Sequence, residues 1–289
     1  MDRILILGAG GNLGGVLVED FKEDYDVIAW DKENIDITDK DLVISKIREI
    51  KPDFIINTAS YNAVDKCETD DDEYELAQKI NGEAVGFLAE VAIEIGAVLV
   101  HYSTDYVFDG ENRDGYKESD KTNPINKYGK TKQMGEQEII KRSGLGLKWY
   151  LIRTSKLFGP KGSNAGAKPS FFDLVLKLAQ EKDELKMVHD EEISCFTYTR
   201  DLSKATKSLI ETDQAFDIYH ITNNEACSWY EAAKYLLDLK DIKNVEVRPV
   251  DSKEYARDAK RPNYSILLNT KLNNLRSYKE ALREYFNKS

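Results

Sequence analysis

The sequence has few of the residues that build covalent or metal-held scaffolds. Cysteine and histidine each occur three times in 289 residues. Cys67, Cys195 and Cys227 are odd in number and form no CxxC pair, which points away from a disulfide framework and toward a reducing, cytoplasmic compartment. His101, His189 and His220 are scattered without metal-ligand spacing, so no metal site is expected. No apolar run approaches the roughly 20 residues that a membrane-spanning helix needs, and the N-terminus reads as a strand, not a signal peptide. Positive charge is also in deficit. Lys and Arg total 41 against 52 Asp and Glu, for a net charge of -11. A surface of that sign disfavours nucleic acid and anionic membranes as partners. The chain shows neither an internal repeat nor a low-complexity tract.

What the chain does have is short apolar runs alternating with helical patterns. Ile4-Leu5-Ile6-Leu7 is continuous, as in a strand covered on both faces. It runs into Gly8-Ala9-Gly10-Gly11-Asn12-Leu13-Gly14, then a pattern that sets Leu13, Val16, Leu17 and Phe21 on one helical face. Strand, glycine turn and helix in that order offer backbone N–H groups to a pyrophosphate at a helix start. Gly8, Gly11, Asn12, Leu13 and Gly14 are therefore candidate cofactor contacts. Asp26–Trp30 reads as a second strand ending at Asp31. An acidic residue there accepts hydrogen bonds from an adenosine ribose and disfavours a 2′-phosphate, a repulsion that the adjacent Lys32 is placed to offset. Thr38 to Asp41 has the form of a capping box, opening a helix with Leu42, Ile47 and Ile50 inward. Phe54–Asn57 is a third strand, with Thr58, Ala59, Ser60 and Tyr61 at its ligand-facing end. Asp70 to Glu73 reads as a helix N-terminus, and Tyr74 to Ile95 as one long helix stopped by Gly96.

The most informative stretch follows. An apolar strand enters YSTDYVFDG (Tyr102 to Gly110), and YGKTK (Tyr128 to Lys132) comes a short loop later. Tyr128 and Lys132 share a helical face. A phenol has a free pKa of about 10, and a nearby ammonium is expected to lower it. A third hydroxyl, from Ser103 or Thr104, is placed to hold a carbonyl oxygen while the tyrosine exchanges a proton with it. This is the chemistry of carbonyl reduction.

These motifs together resemble the extended short-chain dehydrogenase/reductases, and within them the dTDP-4-dehydrorhamnose reductase family. The resemblance runs over nearly the whole chain. Its most specific pieces are YSTDYVFDG, YGKTK with Gly135-Glu136 following, Ala63 to Glu68, and Arg261-Pro262. It implies an α/β fold: a Rossmann-type doubly wound parallel sheet with a smaller C-terminal substrate-binding lobe. The NAD(P)-binding domain would take residues 1–155, completed by 202–222, and the lobe 156–201 and 223–289. It implies NADPH or NADH as cofactor, a nucleotide-sugar substrate and a homodimer. Thr104, Tyr128 and Lys132 would be catalytic, with Lys132 also binding the ribose. Asp36 and Ile37 would lie beneath the adenine, though Asp36 reads equally well as a turn residue. Ala59, Ser60 and Tyr61 would line the cofactor, and Asn81 would help to shape the site. Thr104 and Asp105 would touch the sugar, and Arg261 would approach the diphosphate unless it serves as a helix cap or surface ion pair.

Two departures stand out. Lys156 occupies a position where the rhamnose-forming enzymes usually carry tryptophan, and a lysine there is able to pair with a phosphate or carboxylate. Asp190 to Thr197 replaces a D-Q-x-G-x-P-T run, with Glu192, Ser194 and Phe196 in place of the amide, glycine and proline. The loop from Gly159 to Pro169 is expected to lie over the nucleotide end. The implied reaction is reduction of the C4 ketone of dTDP-4-dehydrorhamnose. The competing readings are another nucleotide-sugar epimerase or ketoreductase, and a non-catalytic subunit resembling the regulatory subunit of methionine adenosyltransferase.

Overall fold

Ile4, Leu5, Ile6 and Leu7 are all buried, which only a strand with helices on both faces allows. The structure, a computed structural model, describes residues 1–255 and 257–287. Its first half alternates strand and helix: β1 (Arg3–Leu7), α1 (Asn12–Phe21), β2 (Asp26–Trp30), α2 (Lys40–Ile50), β3 (Phe54–Asn57), α3 (Val64–Thr69), α4 (Asp71–Gln78), α5 (Ala84–Ile95) and β4 (Val98–Thr104). Next come α6 (Lys127–Arg142), β5 (Lys148–Thr154), β6 (Leu157–Phe158), α7 (Phe171–Glu181), β7 (Glu184–Val188), β8 (Ser194–Cys195), β9 (Thr197–Tyr198), α8 (Thr199–Glu211) and β10 (Ile218–His220). The chain ends with β11 (Ala226–Cys227), α9 (Trp229–Leu239), β12 (Glu246–Val250) and α10 (Tyr278–Asn287).

Six strands form one parallel sheet in the order β2-β1-β3-β4-β5-β10. The chain leaves β1 in one direction to β2 and in the other to β3, so the strand order reverses between β1 and β3. Ligands bind outside the carboxyl ends of the strands at such a reversal. One core lies on the side of α2 and α5, with Val43, Ile47, Leu88 and Leu99. The other lies on the side of α1 and α8, with Leu17, Phe21, Leu202 and Leu209. A third core gathers Phe158, Phe172, Phe196, Leu236 and Leu282 around α7, α9 and α10, beside the β7–β12 pair.

Two local expectations change, at the start of α2 and along the helix after Asp70. Asp39, not Thr38, caps α2, because its carboxylate accepts from Leu42 N–H at 3.0 Å while the Thr38 hydroxyl donates to Asp36. The stretch from Val64 to Thr69 is a helix of its own, and Asp70, extended at its end, caps α4 through the N–H groups of Asp72 and Glu73. The long helix is broken by a π-turn at Lys79–Glu83. Such single wide turns sit at functional sites more often than chance.

Helix α6 carries Tyr128 and Lys132, and one ion pair fixes it to the sheet. Arg153 of β5 donates to both Glu136 oxygens at 2.9 and 2.7 Å, with both side chains 2% exposed. The guanidinium also lies 5.1 Å from the Phe108 ring centroid. Such a pair adds little net stability, but removing one partner strands a buried charge. Glu136→Gln is therefore expected to lose about 3–5 kcal/mol in urea denaturation. The double change Glu136→Gln, Arg153→Met should lose less, and equal losses would show that the stranded charge is not the cause.

Candidate active site

The glycine turn sits at the switch point, its bareness enforced by close packing. Gly8 has φ +75, and a Cβ there would lie 2.7 Å from the Ala59 backbone nitrogen. A Cβ at Gly14 would collide with the Gly8 carbonyl oxygen. Among the described residues no side chain caps α1, which leaves its first N–H groups without a side-chain acceptor, as an anion site requires. These residues fit the pyrophosphate of a dinucleotide. Asp31, at the end of β2, accepts from Gly10 N–H at 2.9 Å and Lys32 N–H at 2.7 Å. Burial alone would raise its carboxyl, but hydrogen bonds from Asn164, Lys32 and Gly10 hold it below the usual range. The 159–169 loop does lie over this turn. Asn12 Oδ1 accepts from Gly162 N–H at 2.9 Å, and its amide donates to the Lys168 carbonyl at 2.8 Å.

Asp36 is exposed and accepts from both the N–H and the hydroxyl of Thr38, which is the turn role. Ile37 packs at the edge of the core beside α2.

The hydroxyl-lined side is built from three elements. Helix α6 begins at an Asn126 cap that accepts from Gly129 N–H at 2.7 Å, which places Tyr128 in its first turn and Lys132 one turn on. The hydroxyls of Thr104 and Ser60 lie near that of Tyr128, close enough to lower its pKa. The expected lowering of this phenol is reversed in the free chain: burial and the charge of Asp105 push it up to about 12 against those two hydroxyls. The Lys132 ammonium is buried and donates to the Tyr102 carbonyl at 2.7 Å. Burial pushes it down to about 8, with Glu136 opposing. Ser103, the other candidate hydroxyl, is buried beneath the strand end and has no partner among the described residues. His101 is buried neutral beside Asn57, its Nδ1 3.1 Å from the Asn57 amide.

Sequence spacing gave no hint of how Ser60 and Tyr61 are held. Asn81, in the π-turn, accepts from the Ser60 hydroxyl and the Tyr61 N–H at 3.0 and 2.9 Å. Its amide donates to the Tyr61 carbonyl at 2.9 Å and the Thr131 hydroxyl at 3.0 Å.

The far wall is charged and aromatic. Asp105 is buried, accepting from Ser265 at 2.5 Å and Thr104 at 3.0 Å. Lys156, at φ +41, donates to the Glu192 carbonyl at 2.5 Å and stands 4.1 Å from the Trp229 ring centroid. Burial pushes its ammonium down to about 8, against the charge of Asp105. Glu192, also at positive φ and buried, pairs with Arg257 and accepts from the Trp229 indole at 2.9 Å. Glu192, Trp229 and Arg257 were missed as site residues, because 65 positions separate the ion pair and only the fold joins them. Arg261 is ion-paired to Asp65 at 2.8 Å. His189, Asp190 and Asp251 also come together across β7 and β12, which histidine spacing alone conceals. A cleft of about 680 Å³ between α8 and residues 269–276 shares no residue with this site.

A parallel sheet with a bare glycine turn at its reversal, and a Tyr–Lys pair on the helix after the central strand, define an extended short-chain dehydrogenase/reductase. The chain belongs to the family described as RmlD substrate binding domain, whose model matches residues 1–289. It is 38% identical over 284 residues to the dTDP-4-dehydrorhamnose reductase of Aggregatibacter actinomycetemcomitans, covering 94% of this chain and 92% of that one. It is 37% identical over 290 residues to the spore coat polysaccharide biosynthesis protein SpsK of Bacillus subtilis, covering 99% and 97%. A solved structure of dTDP-4-dehydrorhamnose reductase from Bacillus anthracis, in complex with NADP, is 36% identical with a TM-score of 0.91, covering 100% of this chain and 99% of that one.

Asp105 gives the site a pH signature. Burial pushes its carboxyl up to about 6, against hydrogen bonds from Ser265 and Thr104 and the charge of Lys156. Between the ordinary carboxylate value and about 6 the folded chain holds this proton more tightly than the unfolded chain, so its contribution to stability falls as pH rises through that window. Asp105→Asn removes the dependence. The stability of the variant relative to wild type, from urea denaturation, should rise by about 3 kcal/mol between about pH 4 and about pH 7. A flat difference would mean that Asp105 ionises normally.

Proposed function

We propose that this chain reduces the C4 ketone of dTDP-4-dehydrorhamnose to give dTDP-L-rhamnose, with NADPH or NADH as reductant. The observation that carries this reading is the hydroxyl set of Thr104, Ser60 and Tyr128 beside a bare glycine turn. When bound, the nicotinamide supplies the hydride to C4. The chain's own residues manage the proton and the alignment. With its phenol pushed up to about 12, Tyr128 is protonated at neutral pH, and its hydroxyl proton is the one delivered to the ketone oxygen. Thr104, whose hydroxyl donates to Asp105 at 3.0 Å in the free chain, turns that single donor to the ketone oxygen when the sugar binds. Lys132, fixed by the Tyr102 carbonyl, binds the ribose and supplies positive charge as the phenolate forms. Asp105 and Lys156 contact the sugar, and Arg261 reaches the diphosphate by exchanging its bond to Asp65.

In this reading residues 1–155 with 202–222 hold the dinucleotide, and 156–201 with 223–289 hold the sugar. The enzyme works in the cytoplasm as a homodimer.

Turnover of dTDP-4-dehydrorhamnose with each reduced dinucleotide tests the proposal. Tyr128→Phe should lower kcat by about 10²–10⁴-fold. Its Kd for the dinucleotide should stay within about threefold of wild type. Dinucleotide binding by wild type without turnover would reject this sugar and shift the assignment to another 4-keto sugar, with Lys156 as the residue responsible.

A further inference from the structure

The loop between Gly159 and Pro169 does more than cover the glycine turn. Its Asn164 N–H donates to the Gly10 carbonyl at 3.0 Å, and its side-chain amide donates to Asp31 Oδ2 at 2.8 Å. Gly162 packs so closely on Gly10 and Gly11 that a Cβ there would strike their backbone. Asp31 Oδ2 thus holds two donors, Gly10 N–H and the Asn164 amide, while Oδ1 holds one, Lys32 N–H. A carboxylate has about four acceptor positions, so one remains, on Oδ1. Asn164 Oδ1 is buried and has no partner among the described residues. The amide orientation is chemically forced, because the opposite one would set the carbonyl oxygen against a carboxylate. The end of β2, beside the glycine turn, is where an adenosine ribose lies in this fold. Two unfilled acceptors stand there, one from the sheet and one from the loop.

We propose that Asn164 completes the ribose site with Asp31 and biases the chain toward a dinucleotide with a free 2′-hydroxyl. This rests on the ketoreductase reading. Two acceptors suit the two hydroxyl donors of a ribose diol, and a buried amide oxygen gains the partner it otherwise lacks. A 2′-phosphate offers only acceptor oxygens and negative charge to the same pair. Lys32, exposed on the other side of Asp31, is the cation that would have to offset this.

The test is equilibrium binding of NADH and of NADPH without sugar, followed by cofactor fluorescence, for wild type, Asn164→Ala and the near-isosteric Asn164→Leu. Melting temperatures are taken alongside. NADH affinity should fall about tenfold in both variants, and NADPH affinity by less than about threefold. Equal losses for the two dinucleotides would assign Asn164 a purely structural role in the loop and overturn the proposal. So would unchanged affinities. A wild-type chain that binds neither dinucleotide would overturn the ketoreductase reading itself, and this one with it.

Discussion

A primary amide has two acceptor lone pairs and two donor hydrogens, and Asn81 spends all four inside the active site. Two of its partners are the backbone N–H and carbonyl of Tyr61, so the loop after β3 is gripped as a strand partner would grip it. The third is the Ser60 hydroxyl, which also lies near that of Tyr128. The fourth is Thr131, the residue before Lys132. One side chain therefore sets the loop after β3 and the helix that carries Tyr128 and Lys132 in a single frame. It reaches both because the π-turn at Lys79–Glu83 widens the helix at that point. Close contact requires the same place to be bare, since a Cβ at Gly135 would collide with the Asn81 carbonyl oxygen.

The frame holds charges in an environment that resists them. Asp105, Lys132 and Lys156 are each displaced toward the neutral form, and burial is the largest cause every time. Tyr128 is displaced the same way. A phenol that resists ionisation is a poor base but remains loaded as an acid, which is the form ketone reduction consumes. Positive charge from Lys132 matters once the phenolate exists, which reconciles a raised phenol in the free chain with a lysine one turn away.

The parallel sheet was legible because its inner strands are apolar runs and its first turn is glycine-rich, and both are local properties. Tyr128 and Lys132 were legible because four residues on a helix is a fixed geometry. Boundaries read from composition fared less well. Thr38 looked like a cap, but Asp36 took its hydroxyl and left the helix start to Asp39. The helix after Asp70 looked continuous because a π-turn preserves the apolar stripe on both sides of it. Trp229 and Arg257 were not legible at all, and Glu192 only as a departure from the family run, since nothing local to any of them specifies the others. The bond between Asn164 and Asp31 is hidden for the same reason, with 133 positions between its ends.

These non-local features are unevenly distributed. The residues proposed to hold the cofactor and move the proton lie at the ends of β1, β3 and β4 and on α6, where strand and helix periodicity dictates position. The departures, Lys156 and the segment around Glu192, lie on the opposite wall, and both have left-handed backbone that side chains resist. A strained backbone persists only where its surroundings over-determine it. Here they do: the Lys156 ammonium is caged by the Trp229 ring and the Glu192 carbonyl, while the Glu192 carboxylate is held by the same indole and by Arg257. Changing any one member leaves a buried charge or a buried carbonyl without its partner, so the members of this cage depend on one another. The two walls meet at Asp105, which accepts from Thr104 and whose charge bears on both Tyr128 and Lys156. Under the proposed assignment the cage around Lys156 can be rebuilt without touching Tyr128 or Lys132, provided that Asp105 is kept.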